Sequence, residues 1–286
     1  MATIAQKRET FRKLHQSGCF AIPNAWDIGS ARYLQHLGFK AVATTSAGFA
    51  FSRGLPDNAV RLDFVLQHIR ELVEALDIPV NADFENGFAH KPHEVAENVR
   101  RCVETGVAGL SIEDSTGEKE TPLYSLEDAV ARIKAARDAI DTAGGDVLLV
   151  GRAECFLVGR PDIEEVVHRL KAYAEAGADC LYAPGIETRV QIAAVVRAVA
   201  PKPVNLLIGA SGGLTMKDAE ELGVRRVSVG GALFRVAWGA FARAACELAE
   251  EGTFGGFRDA ALYGQLNEFF RRLAGTKLEK DENQSA

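Results

Sequence analysis

Two short apolar runs of the chain end in acid. One reads Pro79-Val80-Asn81-Ala82-Asp83-Phe84-Glu85-Asn86-Gly87 and the next Gly109-Leu110-Ser111-Ile112-Glu113-Asp114. Both look like buried parallel strands, so carboxylates at their carboxyl ends would be desolvated and mutually repelling unless a cation or a base sat among them. A divalent metal meets that need. Asp57, in the loop Arg53-Gly54-Leu55-Pro56-Asp57, adds an acid from a third unit. Asp57, Asp83, Glu85 and Glu113 together are the candidate metal ligands: hard oxygens, few of them direct, as Mg2+ or Mn2+ prefers, where zinc or copper would ask for imidazole or thiolate. The competing role for each acid is an ion pair with Arg53 or Arg152, or a helix cap.

Other polar residues fall at the ends of neighbouring runs. Arg152 and Glu154 close the fifth, and a guanidinium there is suited to gripping a carboxylate or phosphonate with two parallel hydrogen bonds, or to stabilising an enolate. Ser46, Ala47 and Gly48, after Thr44-Thr45, offer small side chains and backbone N–H groups for a substrate carboxylate, or simply a tight loop. Asn205 begins the seventh run and is a further candidate for substrate binding. The catalytic candidates are Arg152, Glu113 and Asp57. Gly230-Gly231 before a helical stretch resembles, weakly, a phosphate cradle.

The elements that must position these groups alternate. Short β-branched runs at 20–23, 41–46, 79–84, 109–114, 147–154, 180–185, 203–209 and 226–230 are separated by amphipathic stretches such as 62–76, 92–105, 126–143, 162–176, 189–199 and 233–250, whose apolar residues recur at three and four. Gly38, Gly106, Gly177 and Gly223 stand where left-handed helix caps are expected. Without a glycine-rich dinucleotide fingerprint after the first strand, the pattern predicts an α/β fold of the (β/α)8 TIM type over a doubly wound sheet. The expected layout is one domain over 1–286, with the barrel at about 19–250, an extra helix at 3–17, another at 254–273 and a frayed polar tail from 279. In such barrels the site lies at the carboxyl ends of the strands.

Bulk properties agree with a small-molecule enzyme. The 286 residues are 47% apolar with a formal net charge of -6, and no cluster of Lys and Arg offers a groove for nucleic acid or a membrane-surface patch. Without a run long enough to span a bilayer or a secretory leader, a cytoplasmic location is expected. Five scattered cysteines speak against disulfides and thiolate zinc, and His90 and His93 are read as solvated residues at a helix start.

At these residues the sequence resembles the isocitrate lyase / phosphoenolpyruvate mutase superfamily from about 20 to 241. The resemblance is carried in order by Ala21-Ile22-Pro23-Asn24-Ala25-Trp26-Asp27, Thr44-Thr45-Ser46-Ala47-Gly48, Gly54-Leu55-Pro56-Asp57, Asp83-Phe84-Glu85-Asn86-Gly87, Ser111-Ile112-Glu113-Asp114, Gly151-Arg152-Ala153-Glu154 and Ala176-Gly177-Ala178-Asp179. It implies a Mg2+-dependent barrel that cleaves or rearranges a carbon–carbon or carbon–phosphorus bond beside a 2-oxo acid through a metal-held enolate. Asp83 would be the direct ligand, and Asp57, Glu85 and Glu113 would bind metal waters. Ser46, Ala47 and Gly48 would hold the substrate carboxylate, and Arg152 would balance the enolate. The resemblance also implies a homotetramer; the 254–273 helix would be exchanged between subunits, or else close its own barrel.

The departures bear on the substrate. Where isocitrate and methylisocitrate lyases carry a Cys-bearing loop, this chain reads Ser115-Thr116-Gly117-Glu118-Lys119-Glu120-Thr121-Pro122, and where mutases carry a histidine it has Pro184. The expectation is a Mg2+-dependent lyase of a small 2-oxo or 2-hydroxy dicarboxylate. The rivals are a phosphonomutase or phosphonopyruvate hydrolase type of enzyme, a catalytically silent 2-oxo-acid binder, and a metal-free barrel enzyme of a phosphate-binding family.

Overall fold

The computed structural model describes residues 2–284, with side chains through 273. It contains two compact units, Met1–Phe234 and Arg235–Ala286.

The first unit is built on parallel strands β1 (Phe20–Ile22), β2 (Asn24–Ala25), β3 (Val42–Thr44), β4 (Val80–Asp83), β5 (Gly109–Glu113), β6 (Leu148–Arg152), β7 (Cys180–Tyr182), β8 (Val204–Leu207) and β9 (Arg226–Ser228). Their order is β1-β9-β8-β7-β6-β5-β4-β3-β2. Pro23 lies between β1 and β2 and has no N–H for a ladder, so one barrel stave is split: Phe20 to Ile22 pair with β9, and Asn24 and Ala25 pair with β3. With the two halves counted as one stave, the sheet is the nearly closed eight-fold barrel that the alternation predicts.

Around it run α1 (Ile4–Leu14), α2 (Ile28–His36), α3 (Ser46–Ser52), α4 (Leu62–Ala75), α5 (Pro92–Val103), α6 (Leu126–Thr142), α7 (Ile163–Glu175), α8 (Arg189–Val199), α9 (Met216–Glu221) and the start of α10 (Ala232–Glu251). The longer helices α4 to α8 each pack an apolar stripe onto the sheet. In α4 the buried residues are Val65, Leu66, Ile69, Leu72 and Val73, at helical spacing, and each such side chain contributes about 1.5–3 kcal/mol by leaving water. The four predicted cap glycines all have left-handed φ, between 85° and 106°.

α1 seals the barrel at the amino-terminal ends of the strands. Phe11 is fully buried against Ile22, Ala43, Ala108 and Leu148. Its basic residues satisfy carbonyls at and just beyond the ends of other helices: Lys7 Nζ donates to Val73 O at 2.8 Å, and Arg8 donates to Val103 O and, in the loop before β5, to Val107 O, both at 2.9 Å.

Two local expectations are corrected. Ser46, Ala47 and Gly48 do not form a loop: they open α3, with Thr45 as its cap accepting the Gly48 N–H at 3.2 Å. The helix expected at 254–273 is interrupted in the second unit, where a 3-10 turn, η1 (Gly255–Phe257), precedes α11 (Tyr263–Gln284). The reason is Glu247, whose carboxylate takes the N–H groups of Gly255 and Gly256 at 2.6 Å and bends the chain back on α10. α11 also continues through most of the tail expected to fray, its last two residues lying outside the described part.

Candidate active site

The carboxyl ends of the strands enclose a cavity of about 180 Å³. That is below the roughly 300–1,000 Å³ of pockets for drug-sized ligands, so the space suits a small metabolite. Ser46, Ala47, Asp57, Asp83 and Arg152 line it.

Arg152 organises the acids. Its Nη1 lies 3.2 Å from Asp83 Oδ1 and 3.1 Å from Glu113 Oε2, and its Nε is paired with Glu154. Asp83 is held on its other oxygen by the Ser46 N–H at 3.0 Å, while its own N–H donates to Thr44 Oγ1 at 2.8 Å. Glu85 has a left-handed backbone (φ 47°), a conformation that costs a non-glycine residue. Its carbonyl accepts the Glu113 N–H at 3.0 Å, tying the two acid-tipped strands together.

One guanidinium does not neutralise this many carboxylates. Burial, then Asp83 and Asp57, push Glu85 up to about 8. Burial raises Glu113 well above the usual carboxylate range against the pull of Arg152, and raises Glu154 too. Asp57 stands on an exposed loop, yet its carboxyl faces the cavity, where desolvation and Asp83 raise it. Among the described residues no three Asp, Glu, His or Cys side chains converge as a closed ligand set. A divalent cation would therefore take one or two direct carboxylates and reach the others through water, which is the mode Mg2+ favours. The unrelieved acidity and the all-oxygen donors fit such an ion.

The sequence candidates divide by position. Asp57, Asp83, Arg152, Ser46 and Ala47 line the cavity, Glu113 joins them through its pair with Arg152, and Glu85 is buried without lining it. Gly48 spends its N–H on Thr45 and has no room for a side chain, since a Cβ would stand 2.6 Å from Thr45 Cγ2. Asn205 is fully buried beside the cavity, its amide bonded to Arg226 Nε at 2.7 Å and Ser228 Oγ at 2.9 Å.

Asp114, next to Glu113, turns the other way. It accepts from Tyr173 Oη at 2.6 Å, the Glu154 N–H at 2.8 Å and Arg169 Nη1 at 3.1 Å, and so fastens β5 to α7. Tyr182, Asn81, Ser111, Arg226 and Ser228 also line the cavity and were not singled out from the sequence. A period of two would have found them: Asn81 precedes Asp83, Ser111 precedes Glu113, and Arg226 precedes Ser228 by two residues each, on the strand faces that point into the barrel.

A parallel α/β barrel with an acid-rich cavity at the carboxyl ends of its strands sets the class, and comparison gives the family. Residues 11–249 match the family described as phosphoenolpyruvate phosphomutase, and the chain belongs to that family, within the superfamily that its motifs suggest. An oxaloacetate decarboxylase of Paraburkholderia xenovorans LB400 is 31% identical over 249 residues, 83% of this chain and 80% of that protein. A crystal structure from Burkholderia cenocepacia J2315, assigned as a lyase/mutase, is 50% identical with a TM-score of 0.91, covering 94% of this chain and 97% of that one. An oxaloacetate acetylhydrolase in complex with its product oxalate superposes with a TM-score of 0.86 at 26% identity, over 100% and 99% of the two chains. Among the described residues no helix is long and apolar enough to cross a membrane.

Proposed function

We propose that the protein is a Mg2+-dependent lyase that cleaves a carbon–carbon bond of a small 2-oxo or 2-hydroxy dicarboxylate. The observation that carries this reading is Arg152, buried at the cavity wall and shared by Asp83 and Glu113, where a single guanidinium faces more acid than it neutralises. Asp83 would hold the ion, with Asp57, Glu85 and Glu113 around its waters. Bound Mg2+ would supply Lewis acidity toward the 2-oxo group.

The chain's own contribution is orientation and charge. Ser46 and Ala47 form the small-residue wall against which a carboxylate packs. Arg152 presents a fixed cation where negative charge develops as the bond breaks, and at a buried site that interaction is stronger than in water. The Ser115–Pro122 segment follows Glu113 and Asp114, is tied by the Ser115–Leu123 bridge and the Thr116 N–H to Pro122 O bond at 3.0 Å, and would set the leaving group. The kinship with an oxaloacetate decarboxylase and an oxaloacetate acetylhydrolase supports four-carbon 2-oxo diacids as the class to test first. Oligomerisation, with a tetramer as the expected form, belongs to this reading.

A carbon–phosphorus enzyme is the second reading, favoured by the description of the matching family. The test is incubation with Mg2+ and oxaloacetate, methylisocitrate or phosphonopyruvate, with products followed by proton and phosphorus NMR. Turnover of a carbon substrate above the spontaneous rate supports the lyase. Turnover of phosphonopyruvate alone sinks it, and oxalate binding without any turnover would mark a silent binder.

A further inference from the structure

Arg226 opens β9 and reaches the floor of the same cavity, yet it is 3% exposed and has amides where Arg152 has acids. Its Nε donates to Asn205 Oδ1 at 2.7 Å and its Nη1 to Asn81 Oδ1 at 3.2 Å, with His15 Nε2 at 3.4 Å. The His15 ring bonds the Phe11 carbonyl through Nδ1 at 2.8 Å, which leaves Nε2 as an acceptor on a neutral imidazole. Among the described residues no Asp or Glu pairs with Arg226, and its Nη2 donates to none of them.

A buried guanidinium without an anion is costly to keep, because its solvation is lost and amide oxygens return only part of it. Asn205 from the adjacent β8 and Asn81 from β4 across the barrel hold two of the three nitrogens, so the fork is oriented before anything binds. A carboxylate supplied by the ligand would complete it through charge-assisted hydrogen bonds.

We propose that Arg226 forms a second anion-holding position at the floor of the cavity, its Nη2 donating to one carboxylate of a small dicarboxylate whose other end faces Arg152. The inference rests on the dicarboxylate reading above and adds a selection rule: the site prefers diacids to monoacids because a second carboxylate gives Arg226 the anionic partner that Asn81, Asn205 and His15 do not supply.

The test is titration calorimetry of the Mg2+-loaded protein with malonate and with pyruvate, in wild type and Arg226→Met. Malonate affinity is expected to fall about tenfold or more, the cost of one charge-assisted contact, with pyruvate changed less than threefold. Equal malonate affinity in a folded variant overturns the proposal, as does an equal loss for both ligands. Should Arg226→Met fail to fold, Arg226→Lys keeps the charge without the fork and is expected to weaken malonate alone. A crystal structure of the wild type with malonate decides independently: a carboxylate oxygen within hydrogen-bond distance of Nη2 supports the site, and malonate seated away from Arg226 refutes it. The NMR assay is a separate readout, so a protein that turns over oxaloacetate but ignores Arg226 loses only this inference. One that binds malonate at Arg226 without turnover loses only the lyase reading.

Discussion

Arg152 Nη1 stands 3.2 Å from Asp83 Oδ1 although β5 lies between their strands. The contact exists because the barrel curves: side chains from β4 and β6 converge over the inward-facing Glu113 of β5, and the same nitrogen meets that acid at 3.1 Å. Acid and base are thus poised at one point before any ligand arrives.

Asp83→Ala removes the acid that faces both the cavity and Arg152. Turnover of the carbon substrate is expected to fall by at least about 10²-fold, with Mg2+ affinity reduced in parallel, because nearby carboxylates reach the ion only through water. Initial rates across a Mg2+ titration check this. Activity within threefold of wild type would refute the role of Asp83.

Arg152→Met leaves Asp83, Glu113 and Glu154 without their shared cation. Breaking such a buried cluster from one side costs about 3–5 kcal/mol, so the urea midpoint at pH 7 should drop accordingly. The loss is expected to shrink at pH 5, because burial raises the carboxyls of Glu113 and Glu154 and lower pH favours their neutral forms. A pH-independent loss would mean that packing, and not charge, is what Arg152 supplies.

Glu85 links stability to pH. Its carboxyl is pushed from an ordinary 4.5 up to about 8, so between those values the folded chain keeps a proton that the unfolded chain has released. Rising pH therefore favours unfolding: metal-free stability is expected to decline from about pH 5 to pH 8 by at most a few kcal/mol, and Glu85→Gln should flatten the slope. Mg2+ binding should tighten over the same interval and release protons, which calorimetry in buffers of different ionisation enthalpy would detect. Proton-neutral binding at pH 7 would contradict this account.

Asp114→Ala separates structure from chemistry. It leaves the buried Tyr173 hydroxyl without its acceptor and Arg169 with only Glu165 and the Tyr124 carbonyl, and a loss of about 2–4 kcal/mol is expected by chemical denaturation. In folded protein at low temperature KM should stay near wild type, since the carboxylate faces α7 and not the cavity. A raised KM with unchanged stability would reverse that assignment.

The Ser115–Pro122 segment holds no thiol to act as an acid, and Lys119 at its tip is exposed. Lys119→Ala is expected to leave stability within about 0.5 kcal/mol, as surface changes do. Any change in kcat would then report on closure over the leaving group. Urea denaturation and steady-state rates on the same preparation check both parts, and a stability loss above 1 kcal/mol would show that the lysine props the loop.

The sequence by itself determined the barrel and its working end. Alternating β-branched and amphipathic runs leave few other topologies, and parallel strands put the strand-end acids Asp83 and Glu113 on the same rim, so these two, with the loop acid Asp57, could be collected without coordinates. It did not determine which of two adjacent polar residues faces inward. Glu113 and Asp114 are equivalent as letters, but strand register sends the first toward Arg152 and the second toward Arg169 and Tyr173. Nor could it show that Gly48 opens a helix, that Glu247 bends the chain at Gly255, or that Asn205 lies beneath the site holding Arg226. These depend on side chains from distant segments meeting across a curved sheet. Only the tertiary structure brings an arginine from the last strand to the floor of the cavity and surrounds it there with Asn81, Asn205 and His15.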